Sequence, residues 1–133
     1  MAQNAPSVDA WLREAKADPD SAECGMFLIH NGVVRRTPRA QVREGKTDLG
    51  EVRGMDFDYD EEKVAQAVAA AREMPGIRYV RVWLNRGALE VGDDIMLVLI
   101  GGDIRPRVVE ALQTLVGTIK KECVSERELI PEA

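Results

Sequence analysis

Residues 87–122 read GALEVGDDIMLVLIGGDIRPRVVEALQTLVGTIKKE, and this stretch decides the fold. The run from Ile95 to Ile100 is apolar throughout, which is typical of a strand covered on both faces. Gly101 and Gly102 favour a turn after it, because they lack side chains that would clash. The next segment predicts a helix with one buried face, since its apolar residues recur at helical spacing: Val108, Val109, Leu112, Leu115, Val116 and Ile119.

Both ends of this predicted helix carry basic residues. Arg105 and Arg107 flank Pro106 in the first turn, where the helix dipole is already positive. Free backbone N–H groups at that end suit phosphate or carboxylate, so the arginines either help to bind an anion or simply point into water. Lys120 and Lys121 fall in the last turn, where lysines are also ordinary complements of the dipole.

Composition indicates one globular domain spanning residues 1–133, with 45% hydrophobic and 31% charged residues. A net charge of −5 argues against general binding to nucleic acids or to anionic membranes. Cys24 and Cys123 form no CxxC pattern and His30 is the only histidine, so we expect no metal site, no cofactor and no disulfide framework. We also expect a cytoplasmic protein, because neither a signal peptide nor a membrane-spanning apolar run is present.

The first half of the chain predicts a loose tail over residues 1–6 and a helix from a Ser7 cap to about Lys16. A strand is expected from Met26 to Ile29 and beyond Asn31-Gly32, where a bulge is favoured over a hairpin turn. Residues 36–54 predict a long polar loop, with a short hairpin around Gly45 as an alternative; loops of this length are often functional.

The second half predicts a helix over residues 61–73, capped by Asp58 or Asp60, and a strand over 77–84. Short strands are expected over residues 52–57 and 89–91. The C-terminal tail could dock either on the core or on a partner protein. Helices and strands in this order favour an α+β domain or an α/β domain with a mixed sheet and flanking helices.

The same stretches resemble the large, catalytic subunit of molybdopterin synthase. The G-x-L-x-V-G-E motif of that family is similar to residues 87–92, and its F-x-G-x-V-R motif to HNGVVR, which gives Arg35 as the matching arginine. Its L-x-Y-E-x-Y segment resembles MDFDYDEEKVA (residues 55–65). Its His-Arg pair is matched at Arg105, with Ile104 in place of the histidine.

The C-terminal motifs of the family match in part. Its first catalytic lysine, in I-D-x-x-K, falls on Lys120, with Gly117 in place of the aspartate. In P-I-W-K-K-E, the second catalytic lysine falls on Arg127, with Glu126 in place of the tryptophan and Val124 in place of the proline. Arg127 keeps the charge of lysine but cannot donate a proton near neutral pH.

The resemblance implies an α/β hammerhead fold, a homodimer, and a small ubiquitin-like subunit whose C-terminal Gly-Gly thiocarboxylate enters a pocket. Sulfur would pass from that tail to cyclic pyranopterin monophosphate to form molybdopterin. The resemblance implies Lys120 and Arg127 as catalytic residues and assigns the phosphate-bearing substrate to Arg35, Arg105 and Lys121. This suits the chemistry of arginine, which grips oxygen bidentately, and of lysine as acid, base or attachment point.

Arg105 and Lys120 are too far apart to share one small substrate within a protomer, about 22 Å at the rise of an α-helix. We therefore expect a two-fold dimer in which Arg105 of one chain approaches Lys120 of the other. The partial match leaves two alternatives: a non-catalytic dimeric relative that binds a pterin or docks a partner, and a small α+β domain unrelated to pterins.

Overall fold

The computed structural model describes residues 2–39, 45 and 50–130 of the chain. In that part, the α-helices are α1 (Val8–Ala17), α2 (Glu61–Arg72) and α3 (Arg105–Thr118), with a 3₁₀ turn at Pro19–Glu23 and a π-helical turn at Ile119–Cys123. The strands are β1 (Met26–Val33), β2 (Gly54–Tyr59), β3 (Ile77–Leu84), β4 (Gly87–Glu90), β5 (Asp94–Gly102) and β6 (Val124–Leu129).

The strands form two three-stranded sheets, a first sheet in the order β1-β5-β3 and a second sheet in the order β4-β2-β6. Every pairing among the described strands is antiparallel. This confirms the α+β class, whereas the alternative of a mixed sheet is not formed. The reason is that α2 connects β2 in the second sheet to β3 in the first, so it is no crossover between parallel neighbours.

Strand β5 is buried on both faces, as its apolar run predicts. Met96, Val98 and Ile100 join the main core beneath α2 and α3, while Leu97 and Leu99 pack with Trp11 of α1 on the other face. Side chains alternate across a strand, so one run of six residues supplies both layers. Helix α3 packs on the main-core face of the first sheet, because its buried residues Val108, Ala111 and Leu115 belong to that core.

Gly101 and Gly102 belong to β5 and do not form the predicted corner; the strand ends after them. A Cβ atom on Gly101 would lie 2.6 Å from the ring of Phe27, and one on Gly102 would lie 2.8 Å from the carbonyl oxygen of Gly76. The glycines are therefore needed for close approach of neighbouring groups rather than for a change of chain direction.

The helix caps and the kink in β1 follow the sequence closely. Ser7 accepts a hydrogen bond from the N–H of Ala10 and caps α1, and Asp60, not Asp58, caps α2. Strand β1 continues through Asn31 to Val33 with a register shift after Gly32, so the predicted bulge is present and the hairpin is not.

The N-terminal segment is less free than the sequence predicts. Residues 2–7 lack regular structure, but the side chain of Asn85 donates to the carbonyl of Gln3 and accepts from its N–H, both at 2.9 Å. The alternative hairpin around Gly45 lies largely outside the described residues. The C-terminal tail forms β6, which pairs with β2. Among the described helices, none has the length and apolar character needed to cross a membrane.

Candidate active site

The end of α3 brings Lys120 to the surface between the two sheets. There the helix widens into the single π-helical turn at Ile119–Cys123, whose first and last residues are buried. Such turns occur frequently at functional sites. Lys120 lies between these two anchors, and its side chain is 36% exposed.

Two cavities meet at Lys120. The helix-side cavity has a volume of about 690 Å³ and is lined by His30, Arg39, Leu112, Gln113, Val116, Gly117, Lys120 and Lys121. The strand-side cavity has a volume of about 240 Å³ and is lined by Val33, Arg35, Arg39, Met55, Ile95, Lys120, Glu126 and Glu128. Lys120 and Arg39 line both, so they form the boundary between the two spaces.

The charges differ between the two cavities. Among the residues that the structure describes, the helix-side cavity is lined by three basic side chains, Arg39, Lys120 and Lys121, and by no carboxylate. In the strand-side cavity, Glu126 and Glu128 face the cations of Arg35, Arg39 and Lys120. A cleft lined by one sign of charge concentrates ligands of the opposite sign, so the helix-side cavity suits an anion better.

His30 on β1 lies against this cationic group. Its Nε2 atom is buried and has no hydrogen-bond partner among the residues that the structure describes. Burial, and to a lesser degree the charge of Lys120, lower the pKa of His30 below its ordinary value. His30 is therefore neutral at neutral pH and leaves one polar atom without a protein partner beside Lys120.

Glu126 of β6 supplies a carboxylate close to Lys120. Its Oε1 lies 4.0 Å from the Nζ of Lys120, and its side chain is only 16% exposed. Glu128, two residues later on the same face, accepts hydrogen bonds from the backbone N–H of Arg39 at 3.0 and 3.2 Å. Strand β6 thus places both carboxylates in the strand-side cavity.

The expected site residues are only partly brought together. Arg35 lines the strand-side cavity, and its Nε donates to the carbonyl of Thr37 at 2.9 Å. Lys121 lines the helix-side cavity next to Lys120. Arg127 lies on the outer face of the second sheet, where its Nη2 donates to Asp56 at 2.8 Å. Arg105 is exposed at the start of α3, the far end of the helix from Lys120.

Four charged or titratable lining residues escaped the sequence analysis as site residues: His30, Arg39, Glu126 and Glu128. Arg39 follows Arg35 and Arg36 in the long loop, and that run of arginines is the signal that could have pointed to it. Glu126 and Glu128 alternate along β6, but the alternation carries meaning only once residues 124–129 are known to be a strand.

Fold and site together define an α+β protein with a lysine at the wall of a cationic cavity. The model of one protein family, described as MoaE protein, matches residues 2–122. The chain belongs to this family. No curated protein sequence matches the chain.

Several solved structures share the fold of this chain. Molybdopterin synthase from Staphylococcus aureus is 18% identical, with a TM-score of 0.72 over 98% of this chain and 90% of that one. The MoaE protein of molybdopterin biosynthesis from Burkholderia ambifaria is 18% identical, with a TM-score of 0.69 over 98% and 87%. A complex of subunits 1 and 2 of molybdopterin-converting factor from Helicobacter pylori includes a chain that is 17% identical, with a TM-score of 0.66 over 96% and 82%.

Family membership confirms the predicted role in molybdenum cofactor biosynthesis, as the large subunit of molybdopterin synthase. It also agrees with the prediction that the chain is part of an enzyme.

Proposed function

We propose that this chain takes sulfur from the thiocarboxylated C-terminus of a small subunit and transfers it to cyclic pyranopterin monophosphate, with Lys120 as the catalytic residue. The observation that carries the proposal is the position of Lys120 on the wall shared by two cavities. A group at such a boundary is within reach of two ligands, one in each space. Sulfur transfer between a protein tail and a small substrate requires that arrangement.

The substrate's phosphate is assigned to the helix-side cavity. Of its described lining residues, the charged ones are Arg39, Lys120 and Lys121, all basic, which favours an anion. Arg35 borders the adjoining strand-side cavity and adds a guanidinium that can bind oxygen atoms bidentately. Lys120 serves as proton donor, proton acceptor or attachment point for the carbon that receives sulfur.

The small subunit is the proposed protein partner. The Helicobacter pylori neighbour is a complex of subunits 1 and 2 of molybdopterin-converting factor, which supports a two-subunit assembly for this chain as well. An extended Gly-Gly tail is narrow enough for the strand-side cavity of about 240 Å³. In that position, the terminal thiocarboxylate of the tail would lie next to Lys120.

A homodimer remains part of the proposal because of Arg105. Arg105 and Lys120 stand at opposite ends of one helix and its π-helical turn, about 22 Å apart at the helical rise. In a two-fold dimer, Arg105 of one chain can complete the phosphate site of the other. Light scattering of the purified protein should give twice the mass of one chain, and a monomeric mass would remove Arg105 from the site.

The decisive experiment is single-turnover sulfur transfer with cyclic pyranopterin monophosphate and a small subunit ending in a Gly-Gly thiocarboxylate. Wild-type protein should form molybdopterin, and Lys120→Ala should reduce the rate by about 10²-fold or more. Lys63→Ala, on the exposed side of α2, is the matched control that should keep the wild-type rate. Absence of product with wild-type protein would contradict the proposed reaction.

A second candidate is a non-catalytic relative that binds a pterin or docks a partner. The observation in its favour is that Arg127, at the position of the second catalytic lysine, pairs with Asp56 on the outer face, away from both cavities that Lys120 lines. Calorimetric titration with the pterin and with the small subunit would show binding without turnover if this candidate is correct.

A further inference from the structure

The side chain of Glu126 is the feature of the site that the proposed function leaves unused. It is held largely out of solvent, 16% exposed, at 4.0 Å from the Nζ of Lys120. We propose that Glu126 is a positioning residue, whose carboxylate holds the ammonium of Lys120 at the boundary between the two cavities. This inference rests on the proposed catalytic role of Lys120.

The register of the second sheet fixes the direction of Glu126. It lies opposite Phe57 of β2, whose side chain is buried, whereas its neighbour Arg127 lies opposite Asp56 and bonds to it on the outer face. Since side chains alternate along a strand, a carboxylate at position 126 faces inward as long as β6 keeps this register.

The charges around Lys120 make this carboxylate necessary. Arg35 and Arg39 share the strand-side cavity with Lys120, and Lys121 shares the helix-side cavity, so cations surround the ammonium. Like charges repel, and without a counter-charge the flexible lysine side chain would turn towards solvent.

The other carboxylate in the strand-side cavity is already engaged. Both oxygens of Glu128 accept the backbone N–H of Arg39. Within the described part of the chain, Glu126 is the residue that forms an ion pair with Lys120. The resemblance noted above places a tryptophan at this position of the family motif, so the Lys120–Glu126 pair is a departure of this chain from that motif.

The test compares Glu126→Gln, which removes the charge at constant size, with Glu122→Gln, an exposed glutamate in the same π-helical turn as Lys120. Acylation of Lys120 in the folded protein is followed by peptide mass spectrometry. The reagent reaches the amine more readily when the lysine side chain turns towards solvent, and the carboxylate of Glu126 holds that side chain at the cavity wall. We expect acylation to become about threefold faster in Glu126→Gln, the effect of one partly exposed ion pair, and to stay unchanged in Glu122→Gln.

Sulfur transfer is measured with the same variants. Loss of positioning should lower kcat about tenfold in Glu126→Gln, with KM within about twofold of wild type, because the substrate-binding cations remain. Equal acylation rates in wild type and Glu126→Gln would overturn the contact, and faster acylation with unchanged kcat would overturn its role in the reaction.

The two proposals fail in different ways. If wild-type protein transfers no sulfur, the proposed function falls, while the acylation rates still decide whether Glu126 holds Lys120. If Glu126→Gln does not fold, Glu126→Asp keeps the charge but withdraws it by one methylene. Acylation faster than wild type would then support the contact, and acylation at the wild-type rate would overturn it.

Discussion

Arg127 Nη2 lies 2.8 Å from Asp56 Oδ2 on the outer face of the second sheet, while the adjacent Glu126 faces Lys120 on the inner face. One strand thus directs two neighbouring charged residues to opposite sides. The residue at the position of the family's second catalytic lysine is the one that points away from the cavities within its own chain.

Substitution of Arg127 by alanine tests this placement. We expect kcat for sulfur transfer to stay within about twofold of wild type, because an exposed pair with Asp56 is worth at most about 1 kcal/mol. Arg35→Ala is the comparison, and it should raise KM about tenfold through loss of an anion contact. A large drop in kcat for Arg127→Ala would instead support the catalytic role that the family motif implies.

The pKa of His30 predicts how stability depends on pH. Burial and the charge of Lys120 lower this pKa in the folded state below the ordinary value of 6.5, so the unfolded chain binds the proton more readily. The stabilising contribution is complete above pH 6.5 and is lost as pH falls through the lower, folded-state pKa.

Urea unfolding from pH 7.5 down to pH 4.5 measures this contribution. The free energy of unfolding should fall more steeply with decreasing pH in wild type than in His30→Phe, which cannot titrate at this position. The carboxylates of the chain affect both proteins alike and cancel in the comparison. Parallel curves for the two proteins would show that the environment of His30 does not disfavour its charged form.

Two glycines should respond to alanine in opposite directions. Gly101→Ala places a Cβ atom 2.6 Å from the Phe27 ring and should destabilise the fold by about 1–3 kcal/mol through overpacking. Gly117→Ala meets no atom within 4 Å and lies inside α3, so it should stabilise by up to about 1 kcal/mol. Thermal unfolding of both variants checks the signs, and equal shifts would contradict the close approach at Gly101.

Asn85 is 1% exposed and joins three segments of the chain. Its side chain bonds to Gln3, to the carbonyl of Asp94 and to the N–H of Arg86. Asn85→Ala leaves buried polar groups unpaired and should destabilise by about 1–3 kcal/mol.

Hydrogen exchange provides a second measurement for the same variant. The amide of Gln3 should exchange much faster in Asn85→Ala, since its acceptor is removed. Asn31→Ala is the control, because Asn31 is exposed and its amide bonds to Asp94 and Met96 of β5 rather than to the N-terminal segment. An unchanged exchange rate at Gln3 would mean that Asn85 does not hold the N-terminal segment in solution.

The sequence was informative where a local pattern determines structure. The apolar run Ile95 to Ile100, the Ser7 cap and the bulge near Gly32 each follow from nearest neighbours, and the structure contains all three. Gly101 was misread because a glycine needed for packing against Phe27 looks the same in sequence as one needed for a turn.

The candidate site was predictable only in part, because it is built from distant segments. Lys120 and Arg35 came from motif resemblance, and they line one cavity. His30 joins them through the pairing of β1 with β5, and Glu126 joins them through the pairing of β6 with β2. No local pattern encodes those pairings, since register between remote strands is set by the assembled core.

The position of β5 in the middle of the first sheet also bears on how the chain folds as it is made. Both neighbours of β5 precede it in sequence, and Met26 pairs with Gly102, across most of the chain. While the ribosome is still translating residues before 94, β1 and β3 exist without the strand that joins them. We therefore expect slow folding dominated by long-range pairing, and an N-terminal fragment ending before β5 should aggregate rather than fold.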